Sequence, residues 1–549
     1  MPDSPGAALA KLAAYVEARS IAQNRESWTR WVSDAVPPHE GSGAQQSLAH
    51  HLAVYLELAR ELEVRPDAVG TAHTRIWRAV RGFFEPYRGS PVLLAQLAQA
   101  MRTLERMSRR AAGSVAFGRG HRRWSCWFRV GNEAARHRSW SACVPSPPTL
   151  REPFLHLVRL RNELARELGH EDFFAYRLRE DGWVPDGFWS FLDRIGDLTE
   201  APHARMKATL DRELADRWKR GFESGTAWQY GDPWAQTAPA TLNGHPARWI
   251  RGAPLTLVRR TLAGLGWPER PFSYRTPKTG AWFPTAFCIH MNRGADIRIA
   301  AELGDDFHSL TLLLHEAGHA AWFSQLDPGL PFLLRVPAHP LLSEGFSLLL
   351  QRLPFIPSWI RATRPGRLGS LRPHHERAIR RADWCDRLSF TRWALALAHF
   401  ERALYRDPEQ DLQALYWTLV ERFQGISRPP GREACVDYLS KRHLVTHPVG
   451  YPYYLLGHCF AAQLARRLAR VQGHDTNPLD MDLIGRASML GLTTAASLAL
   501  GEFLRDRLFA PGADVDDPFA FAATVCGEPF SIDAWASDLA RLEADVGPP

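Results

Sequence analysis

Apolar residues recur at intervals of three and four along most of the chain, which is the period of an amphipathic helix. The pattern runs through residues 6–112 and again through 149–178, and it returns over 529–544 near the end of the chain. The breaks between such runs are short and contain Pro, Gly or Asp, as in Pro185-Asp186-Gly187. The pattern predicts a mainly α fold.

One region, residues 281–303, has a different pattern. An apolar segment over 281–290 is followed by a turn at Asn292-Arg293-Gly294, and residues 296–300 then alternate Ile with polar residues. Alternation with a period of two is typical of a strand. We therefore predict a small β-sheet directly before the next helix, whose first turn Asp305 and Asp306 can cap.

That next helix carries the sequence HEAGH over residues 315–319. A spacing of four places His315 and His319 on one helical face, within reach of one metal ion. Leucines and alanines form a core stripe on nearly the opposite side. Glu316 lies about 100° round the helix from His315, so it can take a proton from water as a general base without being a ligand. The competing interpretation is a surface helix with two solvated histidines.

Glu344 is the candidate third ligand. It is the one acidic residue in the apolar segment 340–350, which also reads as helical. A buried, unpaired carboxylate is costly, so a metal ion is a reasonable partner for it. Three protein ligands and one open position for water are typical of catalytic zinc sites. We expect one Zn²⁺ per chain, the alternative being a carboxylate on an exposed helix face.

HEAGH with a glutamate 29 residues after its first histidine, in a helical chain, resembles the helical gluzincin peptidases. These include the thimet-oligopeptidase and oligoendopeptidase family and the angiotensin-converting-enzyme family. Other parts of the chain also resemble these peptidases. These are the segments 157–165, 286–288 with 296–299, 334–339 followed by Glu344, and 447–457.

The resemblance implies a fold and a substrate class. It implies a two-lobed helical clamshell with a deep channel, which admits short oligopeptides and excludes folded proteins. The strand at Ile297 and Ile299 would bind the substrate backbone by strand pairing. We found no internal repeat and no long low-complexity linker, so we predict a single domain over 1–549. Residues 1–230 would form most of the N-terminal helical half, and residues 231–549 the catalytic half.

The resemblance also implies groups that stabilise the oxyanion. His447 and a tyrosine would do so, with Tyr454 preferred over Tyr451, and Tyr453 would contact the substrate. In the angiotensin-converting-enzyme family a tyrosine lies ten residues after the equivalent histidine, and here that position is Gly457. The assignment among the three tyrosines is therefore open at this point.

Charge and composition give no reason to expect a nucleic-acid partner. The net charge of +8 comes from 67 basic and 59 acidic residues, which is mild for a chain of 549 residues. Arginines are interleaved with aromatic residues over 109–140, a pattern that single-stranded nucleic acid can use. A helix with solvated arginines and buried tryptophans explains the same pattern, and we favour it because no nucleic-acid motif accompanies the segment.

Cysteine usage and hydropathy predict the compartment. The seven cysteines are widely spaced with no CxxC pair, so neither a disulfide framework nor a thiolate zinc site is indicated. The N-terminal residues lack a secretory pattern, and no apolar run approaches a membrane span. We expect a cytoplasmic protein without a membrane partner, either a monomer or a weak dimer. Two rival functions stay open, a zinc amidohydrolase acting on a non-peptide amide and an inactive scaffold.

Overall fold

The protein is mainly helical, with one small sheet. A computed structural model describes most of the chain. The described residues are 4–32, 42–65, 68, 73–113, 133–144, 147–218, 226–230, 232–237, 246–250, 252–268, 271–276, 286–304, 306–363, 371–473 and 495–546.

Eight helices precede residue 230 within the described part. They are α1 (Pro5–Val32), α2 (Ser42–Val64), α3 (Thr74–Phe84), α4 (Pro91–Gly113), α5 (Glu133–Cys143), α6 (Arg151–Glu167), α7 (Phe173–Glu180) and α8 (Pro185–Trp218). The single helical run predicted over 149–178 is divided between α6 and α7. Asp172 causes the division, because its side chain accepts a hydrogen bond from the Ala175 N–H and so caps a new helix.

The helices of the second half include the one that carries HEAGH, which packs on the sheet. They are α9 (Pro254–Gly264), α10 (Phe307–Ser324), α11 (Pro340–Gln351), α12 (Pro357–Ala362), α13 (Pro373–Arg406), α14 (Leu412–Gln424), α15 (His443–Thr446), α16 (Pro452–Val471), α17 (Ala495–Leu504), α18 (Pro518–Cys526) and α19 (Asp533–Val546). The closing helix predicted over 529–544 begins later, at Asp533. Pro529 and Ser531 bond through their backbones to Gln463 of α16 instead.

The predicted sheet has three strands, β1 (Ser273–Arg275), β2 (Ala286–His290) and β3 (Ile297–Ala301), in the order β1-β3-β2. β3 pairs in parallel with β1 and antiparallel with β2. Residues 281–285, which we included in the first strand segment, lie outside the described residues.

The sheet corrects one prediction. β3 is the central strand, so residues 298–300 are paired on both sides and offer no free edge to a peptide. The side chains of Ile297 and Ile299 are buried in the core. Both residues therefore support the sheet and are not the substrate-binding residues that we predicted.

Two hydrophobic cores are formed by the described residues. The larger runs from Leu93 to Leu542 and includes residues on both sides of position 230. The smaller is built by α1, α2 and α3 together with Leu333. The described helices between residues 91 and 218 thus share a core with the helices that carry the candidate metal ligands, and the helices before residue 85 pack mainly on one another.

Helix α11 packs unusually closely against two other helices, α10, which carries HEAGH, and α16. A Cβ added to Gly318 of α10 would lie 2.6 Å from the Ser347 Cα of α11. A Cβ on Gly345 of α11 would lie 2.9 Å from the carbonyl oxygen of Gly457 in α16. Only glycine permits these approaches, which bring the three helices together behind the candidate site. Gly457 occupies the position at which the angiotensin-converting-enzyme family has a tyrosine. A Cβ there would lie 3.0 Å from Leu348 Cδ1 and 3.2 Å from the Gly345 nitrogen, so a tyrosine side chain would not fit.

Two further predictions concern the basic and aromatic segment and the absence of a membrane span. The basic and aromatic segment falls mostly on residues 114–132, which lie outside the described residues. In its described part Arg136 is buried and donates to the backbone carbonyls of Trp228 and Tyr230, and Trp140 is buried as well. These contacts favour the structural interpretation of that part. Within the described chain no helix combines the length and the apolarity needed to cross a bilayer.

Candidate metal centre

Helix α10 presents the two histidines of HEAGH side by side. Its start is fixed by Asp306, whose carboxylate accepts from the Ser309 N–H at 2.8 Å, as predicted; Asp305 lies outside the described residues. One turn separates His315 from His319, and their Nε2 atoms lie 3.3 Å apart. Two ligands at zinc distances of 2.0–2.1 Å and a tetrahedral angle lie about 3.3 Å apart. The two nitrogens are therefore spaced for one ion.

Glu344 brings the third ligand from the facing helix α11. Its Oε2 lies 3.4 Å from His315 Nε2, and its Oε1 lies 3.8 Å from His319 Nε2. Among the described residues, these three form the one group of His, Cys, Asp or Glu side chains whose ligand atoms come close enough to hold a metal ion. The group predicted from the sequence is therefore brought together.

The environment of Glu344 fits a bound cation. Its Oε2 is buried and has no hydrogen-bond partner among the described residues. Burial favours the neutral acid, but His319 and His315 outweigh it and hold the pKa of Glu344 below its usual range. A charged carboxylate with an unpaired buried oxygen between two imidazoles is suited to a divalent ion, and two nitrogens with one oxygen match the preference of zinc.

A serine orients one of the ligands. Ser343 Oγ lies 2.7 Å from His319 Nδ1. When Nε2 faces the ion, Nδ1 carries the proton and donates it to the serine oxygen, which fixes both tautomer and ring orientation. The Leu341 N–H donates to the His339 ring at the start of α11, which aligns the turn that carries Ser343 and Glu344. The sequence analysis missed Ser343, and no spacing rule would have indicated it.

Glu316 lies beside the ligand group and not in it. The residue is 7% exposed, and the nearby backbone N–H of Cys288 in β2 acts to lower the pKa of its carboxylate. Burial raises the pKa of Glu316 to about 7, with the charge of His315 acting in the opposite direction. The helix and the sheet together hold this carboxylate next to the three ligands.

Two of the three candidate tyrosines have hydroxyls that are bonded inside the protein. The Tyr451 hydroxyl accepts from Trp393 Nε1 at 2.8 Å and donates to Gln236 Oε1 at 2.7 Å. The Tyr453 hydroxyl donates to Asp181 Oδ2 at 2.5 Å. Both tyrosines are buried. Their hydroxyls are therefore not positioned to meet a substrate, contrary to our assignments for Tyr451 and Tyr453.

Tyr454 differs from both. Its ring centroid lies 6.4 Å from that of His315, and its hydroxyl has no hydrogen-bond partner among the described residues. Burial raises the pKa of Tyr454 well above its usual value, and the charges of Glu344 and Glu316 act in the same direction. It is thus a neutral hydroxyl donor facing the candidate metal group.

His447 lies at the exposed side of the same site. Burial of its ring lowers the pKa of His447, while the carboxylate of Glu344 acts in the opposite direction. His443, one helical turn earlier, has its ring 6.1 Å from the rings of both His447 and Tyr454. The sequence analysis missed His443, although its spacing of four from His447 was a usable signal.

The chain was compared with known proteins at two levels. No protein-family model matches it, and a search of curated proteins finds no similar sequence. The resemblance to the helical gluzincins therefore stays a prediction.

Proposed function

We propose that the protein is a zinc-dependent metallopeptidase that hydrolyses peptide bonds in short oligopeptides. The observation that carries this proposal is the partly buried group of His315, His319 and Glu344 with the buried Glu316 carboxylate beside it. A zinc ion held by the three ligands would supply Lewis acidity, which polarises a carbonyl and acidifies water.

The side chains around the ligands divide the remaining work. A Glu316 carboxylate oxygen takes a proton from the attacking water and later delivers it to the nitrogen of the leaving amine. The water oxygen forms a bond to the scissile carbon, and the carbon–nitrogen bond then breaks. Tyr454 donates its hydroxyl hydrogen to the oxyanion that develops on the carbonyl, and His447 assists from the exposed side.

The preference for short peptides rests on the resemblance to the helical gluzincins. We propose with it a two-lobed body whose channel excludes folded proteins. An extended substrate would not pair with β3, because that strand is already paired on both sides.

The proposal is tested by loading the metal-free protein with one equivalent of zinc and following a mixed oligopeptide library by mass spectrometry. A panel of non-peptide amides is run beside it. Zinc-dependent cleavage within the peptides supports the peptidase. Cleavage of the amides alone would favour the amidohydrolase, and zinc binding without any cleavage would favour an inactive scaffold.

A further inference from the structure

The segment between His447 and Tyr454 contains a strained turn. The Gly450 N–H donates to the His447 carbonyl at 3.1 Å, which closes a four-residue turn with Pro448 second and Val449 third. Val449 has a φ of 62°. A positive φ at the third position is typical of a type II turn, which favours glycine there. For a β-branched residue this conformation is an outlier that the surrounding structure must enforce.

A buried glutamate holds the strained residue. Glu401 of α13 is 1% exposed, and its Oε1 accepts from the Val449 N–H at 2.8 Å. Its Oε2 is buried without a hydrogen-bond partner among the described residues. A buried carboxylate that accepts only one hydrogen bond, from a backbone N–H, destabilises the fold. A functional role at this turn would explain why it is there.

A buried arginine holds the backbone just before His447. Arg161 of α6 donates to the carbonyl of Leu444 at 2.9 Å and to that of Val445 at 2.6 Å, and it also donates to the Tyr405 hydroxyl. Arg161 and Glu401 come from different helices and fix the backbone on both sides of His447. The turn leads directly into α16, which carries Tyr454.

We infer that Glu401 and Arg161 are positioning residues, which clamp the strained turn at Val449 and thereby set His447 and Tyr454 at the candidate metal site. This inference rests on the proposed function. An unstrained turn would leave His447, which is exposed, free to sample other orientations. Misplacement of a reacting group by about 1 Å can cost on the order of 10²-fold in rate.

The strain is tested with two substitutions of one residue. Val449→Ala and Val449→Gly both remove buried methyl groups, but only glycine adopts the positive φ without strain. Glycine is ordinarily the less stable of the two. We expect the reverse order here, with Val449→Gly melting about 1 °C or more above Val449→Ala. Turnover should fall further in Val449→Gly, because the relaxed turn no longer fixes His447. A lower melting temperature for Val449→Gly would overturn the inference.

The clamp is tested with Glu401→Leu beside its conservative partner Glu401→Gln, whose amide oxygen can still accept from the Val449 N–H. We expect hydrogen exchange over residues 444–453 to rise about tenfold or more in Glu401→Leu and to stay near wild type in Glu401→Gln. Exchange over 310–323 and zinc affinity should not change in either variant, because the metal ligands lie elsewhere. kcat should drop about tenfold in Glu401→Leu with KM little changed.

The two proposals fail differently. Peptide hydrolysis absent from the wild type, with the expected stability order and exchange pattern, would contradict the peptidase and support the clamp. Equal exchange over 444–453 in all the variants, or equal turnover in Glu401→Leu and wild type, would contradict the clamp and leave the metallopeptidase standing.

Discussion

Replacing Gly318 by alanine should damage the metal centre without touching a ligand. The added Cβ would lie 2.6 Å from Ser347 Cα and 2.8 Å from Ser347 Oγ. Favourable carbon contacts are about 3.5–4.0 Å long. Because the nearest atom belongs to the backbone, rotation of a side chain cannot relieve the contact, and α10 and α11 must separate by about 1 Å.

The separation of α10 and α11 determines how much folding stability and zinc affinity are lost. Alanine gains about 1 kcal/mol over glycine within a helix, whereas an overpacked contact costs about 1–3 kcal/mol. We expect a net loss of up to about 2 kcal/mol in the free energy of unfolding. Glu344 lies three residues before Ser347 on α11 and moves with it, while metal–ligand distances tolerate only about 0.2 Å. Zinc affinity should therefore fall by about 10- to 100-fold.

The assay is chelator competition for zinc, with thermal unfolding of the metal-free protein beside it. The matched control is Gly196→Ala in the middle of α8, where the new Cβ would meet only Leu395 Cδ1 at an ordinary 3.9 Å. The control should keep full zinc affinity and be as stable as wild type or more so. Wild-type zinc affinity in Gly318→Ala would refute the close helix contact as the feature that aligns the ligands.

Three further predictions concern single side chains. Tyr454→Phe should lower kcat by about 10²-fold with KM little changed, whereas Tyr453→Phe should leave kcat near wild type; steady-state kinetics decide, and equal effects would contradict the assignment. Ser343→Ala should weaken zinc binding by about tenfold or more in chelator competition, and unchanged affinity would remove the serine from the site. Burial raises the pKa of Glu401 to about 7, above its usual 4.3 in the unfolded chain. The folded state then binds more protons between these values, so this stabilising contribution is complete below about pH 4.3 and is lost as the pH rises to about 7. In denaturant unfolding the stability of wild type should decline relative to Glu401→Gln across that window, and a constant difference would contradict the raised pKa.

The candidate ligands could be predicted because their geometry is local. A spacing of four fixes His315 and His319 on one helical face before any tertiary contact forms, and a lone acid in an apolar helix identifies Glu344. The cap at Asp306 and the helix after it follow from the same short-range rules.

The position of β3 could not be predicted in this way. Alternation identifies a strand, but strand order depends on which segments meet, and residues 273–275 join β3 on its second side. Ile297 and Ile299 were therefore assigned to a substrate edge that is already paired.

The three tyrosines look equivalent in the sequence because their hydroxyl partners are distant. Asp181 lies 272 positions from Tyr453, and Gln236 lies 215 positions from Tyr451. Only the fold shows that, of these three tyrosines, Tyr454 is the one whose hydroxyl makes no hydrogen bond to a described residue. The glycine at position 457, where the angiotensin-converting-enzyme family has a tyrosine, is explained in the same way. Its close contact with Gly345 depends on how α11 and α16 pack, which the sequence does not show.

The central claim is that Glu316 activates water at a zinc centre held by the chain. The direct measurement is zinc content and oligopeptide hydrolysis of wild type and Glu316→Gln, purified in parallel. We predict one zinc per chain in both proteins, because Glu316 is not a ligand, and peptide cleavage in the wild type alone. Cleavage by Glu316→Gln at the wild-type rate would contradict the account, as would the absence of bound zinc from both proteins.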